Sequence, residues 1–363
     1  MDERSREYLG FAKTLSQLGL SEKLRTSQTI ARPQSVEASV SLPPVAYDAG
    51  SDLTPVCELG RGGMGVVHLV TQRSLGRGVA VKSVVSDEAW VRNALVREAQ
   101  IMGSLEHPNL VPVHALGQRE DGTPILVMKH IEGSTLRELL DSPTHEGWKP
   151  FIVGHGDMLR AKVEILIQVC RALEFAHSRG VVHRDLKPDN VMIGRFGEVY
   201  LLDWGIALRL TERETEPKTL VGTPGYLAPE MAMADPELVD ERTDVYLLGA
   251  TLYEVLAGRM PHDGVGPIAA LMQALAGEPP SFAGVDAPAE LVALVAKATA
   301  KNVVDRISSA QAFREELARF LVFRDAEIVA QGARLAYRRA LDDAEGGERA
   351  LLEARFGFMT ALR

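Results

Sequence analysis

Between Asp185 and Asn190, in the run His183-Arg184-Asp185-Leu186-Lys187-Pro188-Asp189-Asn190, the chain places a carboxylate, an ammonium and an amide, and Asp203-Trp204-Gly205 follows shortly after. That set suits phosphoryl transfer. A carboxylate can orient a hydroxyl, a cation can sit beside the moving phosphate, and an amide with a second carboxylate can hold a divalent ion. Oxygen donors of that kind suit a hard cation such as Mg²⁺ better than zinc. Upstream, Gly60-Arg61-Gly62-Gly63-Met64-Gly65-Val66-Val67 has the spacing G-x-G-x-x-G-x-V. Glycines let backbone N–H groups approach phosphates where a Cβ would clash. A dinucleotide-binding turn shares the pattern, but it leads directly into a helix. Here a Val-rich strand follows. Val79-Ala80-Val81-Lys82 then ends on a lysine, and Glu98 comes sixteen residues later in a helical stretch. A strand lysine or a helical glutamate alone is an ordinary surface residue. The two gain meaning only together with the later motifs.

In this order the motifs resemble the signature set of the eukaryotic-type (Hanks-type) serine/threonine protein kinases, over roughly residues 53–320. The compact form and the Ala-, Arg- and Gly-rich flanks resemble a bacterial member of that family. The resemblance implies ATP and Mg²⁺ as cofactors and protein serine or threonine hydroxyls as acceptors. It makes Asp185 the catalytic base, Lys187 the cation at the γ-phosphate, and Asn190 and Asp203 the metal ligands. Lys82, held by Glu98, would anchor the α- and β-phosphates. Leu59, Gly60, Arg61, Gly62, Gly63, Met64, Gly65, Val66 and Val67 would cover the nucleotide. Val67 and Ala80 would lie above the adenine and Met192 below it. Met128 would be the gatekeeper, followed by a hinge, Lys129-His130-Ile131-Glu132, in which Ile131 lines the pocket. Lys187 and Thr223 match the Ser/Thr pattern, and Gly222–Glu230 would shape a shelf for the peptide. Asp244 would brace the catalytic loop, and Arg306 would pair with Glu230. Trp204 stands where the family has Phe, and is expected to pack near Met102 and His183. Arg184 beside Asp185 implies an activation segment ordered by a phosphate. Thr211, Thr215 and Thr219 are the candidate acceptors, and Glu212, Glu214, Glu216 and, just beyond, Glu230 are acids that could partly stand in for the phosphate. Asp189 and Glu132 lie where some relatives bind basic peptides. A catalytically silent relative would not need Lys82, Asp185, Asn190 and Asp203 together, and a small-molecule kinase would not need the peptide shelf.

The elements that must position these residues form an α+β, bilobal fold. Val66–Val70, Gly78–Lys82 and Ile125–Met128 read as strands and residues 87–105 as a helix, giving a β-rich N-lobe over 53–134. A mainly helical C-lobe spans 135–320, with buried helices over Val163–His177 and Asp244–Leu256 and a surface loop within 141–160. Residues 1–24 read as a short helix and 25–52, rich in Ser, Thr, Pro and Ala, as a linker. Beyond a helix ending near Phe320, residues 321–363 read as two helices broken at Gly346-Gly347. An apolar face on such a helix pair must be buried, either on the kinase-like core or on a partner, a second copy of the chain being one such partner. The final residues carry no helix-stop signal, as in a truncated sequence.

Composition bounds the rest. The 363 residues are 46% hydrophobic and 25% charged, ordinary values for a globular protein. A net charge of −9 disfavours a nucleic-acid surface. No apolar run is long enough for a membrane span, the acidic start is not a secretory signal, and two isolated cysteines fit a reducing compartment. The expected location is the cytoplasm.

Overall fold

A computed structural model describes residues 41–47, 51–62, 65–152, 157–263, 266–342 and 347–361. The helix expected over 1–24 lies outside these residues, as do Gly63 and Met64. Two compact units divide the chain, Met1–Phe313 and Arg314–Arg363.

The first unit begins with a five-stranded antiparallel sheet in the order β1-β2-β3-β5-β4. The strands are β1 (Leu53–Arg61), β2 (Gly65–Gln72), β3 (Arg77–Val84), β4 (Val113–Gln118) and β5 (Pro124–Lys129). Helix α1 (Ala89–Gly103) connects β3 to β4. Alternation sorts the side chains of β3. Val79 and Val81 join Val70, Ile125, Val127 and Leu53 in a buried cluster on one face. Ala80 and Lys82 therefore point to the other face. Register puts Lys82 opposite Val67 and Ala80 opposite Met128, so these four share that second face.

Residues 41–47 depart from the expected linker. The Val45 N–H donates to the Gln118 carbonyl and the Gln118 N–H to the Pro43 carbonyl, at 2.8 and 3.0 Å. Val45 and Tyr47 pack on the sheet's buried cluster, and the Arg119 guanidinium lies over the Tyr47 ring. Pro44 has no N–H to donate, and an edge position asks none of it.

The mainly helical part carries a small sheet, β6 (Gly133–Thr135), β8 (Val191–Gly194) and β9 (Val199–Leu201), and a short pair, β7 (Val181–Val182) with β10 (Leu208–Arg209). Its helices are α2 (Leu136–Asp141), α3 (Met158–Ser178), α4 (Pro229–Ala232), α5 (Glu241–Ala257), α6 (Pro267–Ala276) and α7 (Ala289–Ala298). Sequence punctuation sets their ends. Thr135 and Glu138 make a capping box at the start of α2, and the Asp157 side chain accepts from the Arg160 N–H at the start of α3. A second box, Asp240 with Thr243, opens α5, and Gly258 at φ +69° closes it. α5 is buried along nearly its whole length. The segment expected as a surface loop within 141–160 contains a buried tryptophan, Trp148, whose Nε1 donates to the Leu139 carbonyl at 2.9 Å.

Helix α8 (Ala310–Asp342) does not end near Phe320 as expected. No Gly, Asn or Pro interrupts 314–331, so no stop signal ends it there. In the Arg314–Arg363 unit, α8 and α9 (Gly347–Ala361) meet through small residues. Ala333, Ala336 and Ala354 are buried, and a Cβ at Gly357 would fall 2.8 Å from that of Ala333. The larger apolar residues Ile328, Leu335, Leu352 and Phe356 are exposed. No described helix is long and apolar enough to cross a membrane.

Candidate active site

Lys82 and Glu98 meet, as the resemblance implied. The Lys82 Nζ lies 2.6 and 2.7 Å from the two Glu98 oxygens and 3.9 Å from Asp203 Oδ1. Burial works against the ammonium charge, yet the Glu98 and Asp203 carboxylates raise its pKa above the ordinary lysine value. The lysine is thus held charged at the sheet face that Val67, Ala80 and Met128 share. The Gly62 N–H donates to the Gly65 carbonyl at 2.8 Å. A Cβ on Gly65 would lie 2.8 Å from the Ser83 carbonyl of β3, so only glycine fits there. Space over Gly60 is open, and Leu59 and Arg61 are exposed on β1. Val66 is buried. Ile131 lies in the connection between β5 and β6, and Met192 on β8 pairs with Thr135.

The catalytic segment is locked by hydrogen bonds from several elements. Asp185, Lys187, Asn190 and Thr223 are all buried. Asn190 Nδ2 donates to the Asp185 carbonyl at 2.7 Å and to Asp185 Oδ2 at 2.9 Å. The Lys187 ammonium lies 3.1 Å from the same Oδ2 and donates to the Thr223 hydroxyl at 2.6 Å. That hydroxyl donates in turn to Asp185 Oδ1 at 2.7 Å. Thr223 therefore ties the Gly222–Glu230 segment to the Asp185 carboxylate.

Asp244, at the start of α5, accepts the Arg184 and His183 backbone N–H groups at 2.9 and 2.8 Å, with His177 Nε2 also at 2.8 Å. These bonds hold Arg184 at φ +69°, an uncommon conformation for a side-chain-bearing residue. His183 Nδ1 accepts the Asp185 N–H, so its Nε2 carries the proton given to the Leu202 carbonyl at 2.8 Å. Trp204 fills the Phe position, buried, with its ring edge-on to His183 at 4.6 Å between centroids.

Asp203 follows in the left-handed region, at φ +56°. Burial alone would raise its pKa, but Lys82 and Lys187 outweigh that and hold it below the ordinary carboxylate value. Its side chain keeps 43% of its surface open. The Leu202 N–H donates to the Asn190 carbonyl at 2.8 Å, which brings Asn190 next to Asp203 in space. Both amide hydrogens of Asn190 go to Asp185, so its oxygen is the end turned away from that carboxylate. An ionised carboxylate and an amide oxygen fit Mg²⁺.

Contacts bring Lys82, Glu98 and Asp203 together and join Asp185, Lys187 and Asn190, while Val66, opposite Ser83, lies on the other sheet face from Val67 and Lys82. Glu230 and Arg306 form a buried bidentate pair, 2.7 Å for each bond, with the Thr243 hydroxyl on Glu230 as well. Sequence reasoning overlooked a second group. Arg137 lies 2.7 Å from buried Glu254, donates to the Tyr226 hydroxyl at 2.8 Å and is 3.5 Å from Asp189. Tyr226 also donates to Glu254. A glutamate inside the apolar run of α5 was the available signal. Asp189 and Glu132, read as a basic-peptide subsite, are thereby engaged by the chain's own Arg137 and Arg195, the latter at 3.1 Å.

A model of the protein kinase domain matches residues 53–317. The chain belongs to the protein kinase family. Similar kinases are bacterial. The serine/threonine-protein kinase PknB of Mycolicibacterium smegmatis is 38% identical over 72% of this chain and 41% of its own length. A probable serine/threonine-protein kinase of Streptomyces coelicolor is 38% identical over 73% of this chain and 39% of its own. PknD of Chlamydia muridarum is 33% identical over 71% and 30%. The chain thus spans less than half the length of these relatives. Within this kinase frame, both free cysteines lie away from the cleft motifs, Cys57 exposed on β1 and Cys170 buried in α3.

Proposed function

We propose that this chain is an active serine/threonine protein kinase that transfers the γ-phosphate of ATP to protein Ser or Thr hydroxyls with Mg²⁺. The observation that carries this reading is the closed set Asp185–Asn190–Lys187–Thr223. One carboxylate is aimed, and its acceptor-side hydroxyl partner belongs to the segment that would seat the peptide. Asp185 accepts the proton of the substrate hydroxyl and orients its oxygen. Lys187 offsets charge at the phosphoryl group, and Lys82, fixed by Glu98, positions the other phosphates. The glycine turn from Gly60 to Gly65 covers them, and Val67, Ala80, Met128, Ile131 and Met192 enclose the adenine. Asn190 and Asp203 would hold Mg²⁺, which when bound would supply positive charge to offset that of the phosphates. Residues 53–320 are the catalytic domain, and 321–363 a helical extension whose exposed apolar residues serve self-association. The same reading predicts autophosphorylation at Thr219, Thr215 or Thr211 and a cytoplasmic location, where ATP and reduced cysteines coexist.

Labelled ATP with a generic protein substrate tests the reading. Asp185→Asn should lower kcat about 10²-fold or more with ATP affinity nearly kept, and Asp203→Ala should abolish metal-dependent turnover. Near-native kcat in either variant would overturn the assignment. Absence of turnover in the wild type would favour a nucleotide-binding module instead.

A further inference from the structure

Arg184 is almost fully buried. Its Nε donates to the Ile206 carbonyl at 2.6 Å, and its Nη2 donates to Glu216 Oε1 at 2.8 Å. Burial lowers its pKa, and Glu216 opposes that shift. A guanidinium in such a place requires an anion, and the chain supplies one. The other oxygen of the same carboxylate, Glu216 Oε2, accepts from Arg97 Nη1 at 3.0 Å, while Arg97 Nη2 reaches Glu212 at 2.9 Å. Arg97 lies on α1 and directly precedes Glu98, the partner of Lys82. Arg184 directly precedes Asp185.

One carboxylate therefore joins three elements: the catalytic loop, the activation segment and the helix that holds the phosphate-anchoring lysine. A phosphate on this segment would bridge two arginines in the same way. The segment is shaped for the task. The Glu216 and Thr215 N–H groups both donate to the Glu212 carbonyl, at 3.1 and 3.0 Å, and so does the Thr215 hydroxyl, at 2.9 Å. This single turn brings the side chains of Glu212 and Glu216 to one side, where they bracket Arg97. Two guanidinium groups meet two carboxylates, and the cluster is neutral.

We propose that Glu216, through Arg184 and Arg97, is the positioning anion of this kinase, so that its active arrangement does not require a phosphate on the activation segment. This rests on the kinase reading above. It also separates two properties of the threonines nearby: Thr211, Thr215 and Thr219 can become phosphorylated without that modification being what orders the loop.

The full chain, treated with phosphatase and shown by intact mass to carry no phosphate, tests the proposal. Its initial kcat should stay within about twofold of the untreated protein. Phosphate-free Glu216→Gln should lose about tenfold or more in kcat with a smaller change in KM for ATP. Arg97→Gln should fall in the same direction, and Glu216→Asp, which keeps the charge, should retain more activity than Glu216→Gln. Hydrogen exchange in the absence of ATP adds a readout independent of turnover. In Glu216→Gln, residues 208–220 and α1 should exchange faster together, while α5 stays protected. If removing phosphate abolishes turnover of the wild type, or if Glu216→Gln keeps both its kcat and its exchange pattern, the proposal is overturned. A wild type that transfers no phosphate in any state would refute the kinase reading, and the exchange pattern would still decide the role of Glu216.

Discussion

Asp244→Asn is the sharpest single test of how the fold holds the chemistry. The residue is fully buried and takes three hydrogen bonds, the Arg184 N–H on Oδ1 and the His183 N–H with His177 Nε2 on Oδ2. Asparagine keeps the shape but has one oxygen. With its carbonyl at the Oδ2 position it keeps two partners and turns an N–H against that of Arg184. The opposite orientation loses two. A buried donor left unmade costs about 1–3 kcal/mol, and exchanging a charged acceptor for a neutral one at the two remaining bonds costs about 1 kcal/mol more. The total is about 2–4 kcal/mol. In a domain of this size that lowers Tm by about 5–15 °C.

The bond lost is the one that holds Arg184 at its positive φ, a conformation that costs about 1–2 kcal/mol for a residue with a Cβ. Freed, that peptide relaxes and carries Asp185 with it. A misplacement of about 1 Å lowers kcat about 10²-fold, while KM for ATP changes little because Lys82 and Glu98 lie on other elements. His177→Phe removes only the lateral partner, so it should lower Tm by less and leave kcat within about twofold. The pH dependence adds a check. Burial alone would raise the Asp244 pKa, but His177 and the His183 N–H outweigh it, and the folded value lies below the unfolded one. Its contribution is present above the unfolded carboxylate pKa and is lost as pH falls through the folded one. The gap between wild type and Asp244→Asn should therefore narrow below about pH 4. Melting curves followed by circular dichroism, with kcat and KM on one peptide, measure all of this. Wild-type Tm and kcat in Asp244→Asn would refute the reasoning.

Arg306→Met strands the buried Glu230 carboxylate with only the Thr243 hydroxyl, and should cost about 3–5 kcal/mol in denaturant titration, with much of the loss recovered when Glu230→Leu is added. Arg137→Ala uncovers Glu254 and Asp189, so a peptide array should show a relative gain for arginine-containing acceptor peptides; an unchanged preference would place Arg137 outside the peptide groove. His262 is buried, which lowers its pKa below that of the unfolded chain. Stability should then fall as pH drops below about 6.5 and level off beneath the folded value, and His262→Gln should flatten that part of the Tm-against-pH curve.

Local rules made part of this molecule legible before its structure. Val79 and Val81 against Ala80 and Lys82 is a strict alternation, and it correctly sends the lysine to the cleft and the valines to the core. Asp185, Lys187 and Asn190 are close in sequence because one loop carries them, so a motif resemblance could single them out together. What stayed hidden depends on partners from far along the chain. Strand β4 is short, runs Val-His-Ala-Leu-Gly-Gln, and is out of register between Val113 and Ala115, so it lacks period-two patterning. Pro43-Pro44 looked like a linker because proline breaks ladders, yet an edge needs only the flanking Pro43 carbonyl and Val45 N–H. Charged side chains were the least legible of all. Arg137 and Arg97 have the types and spacings of solvated surface residues. Only the fold shows that Glu254 is buried beneath Arg137, or that Glu216, among the acids read as stand-ins for a phosphate, is the one that meets Arg184. Burial turns an ordinary ion pair into a constraint, because water can no longer take the place of the missing partner. A motif can therefore name the atoms that react, while the charges that hold them in place emerge from the packing of elements distant in sequence.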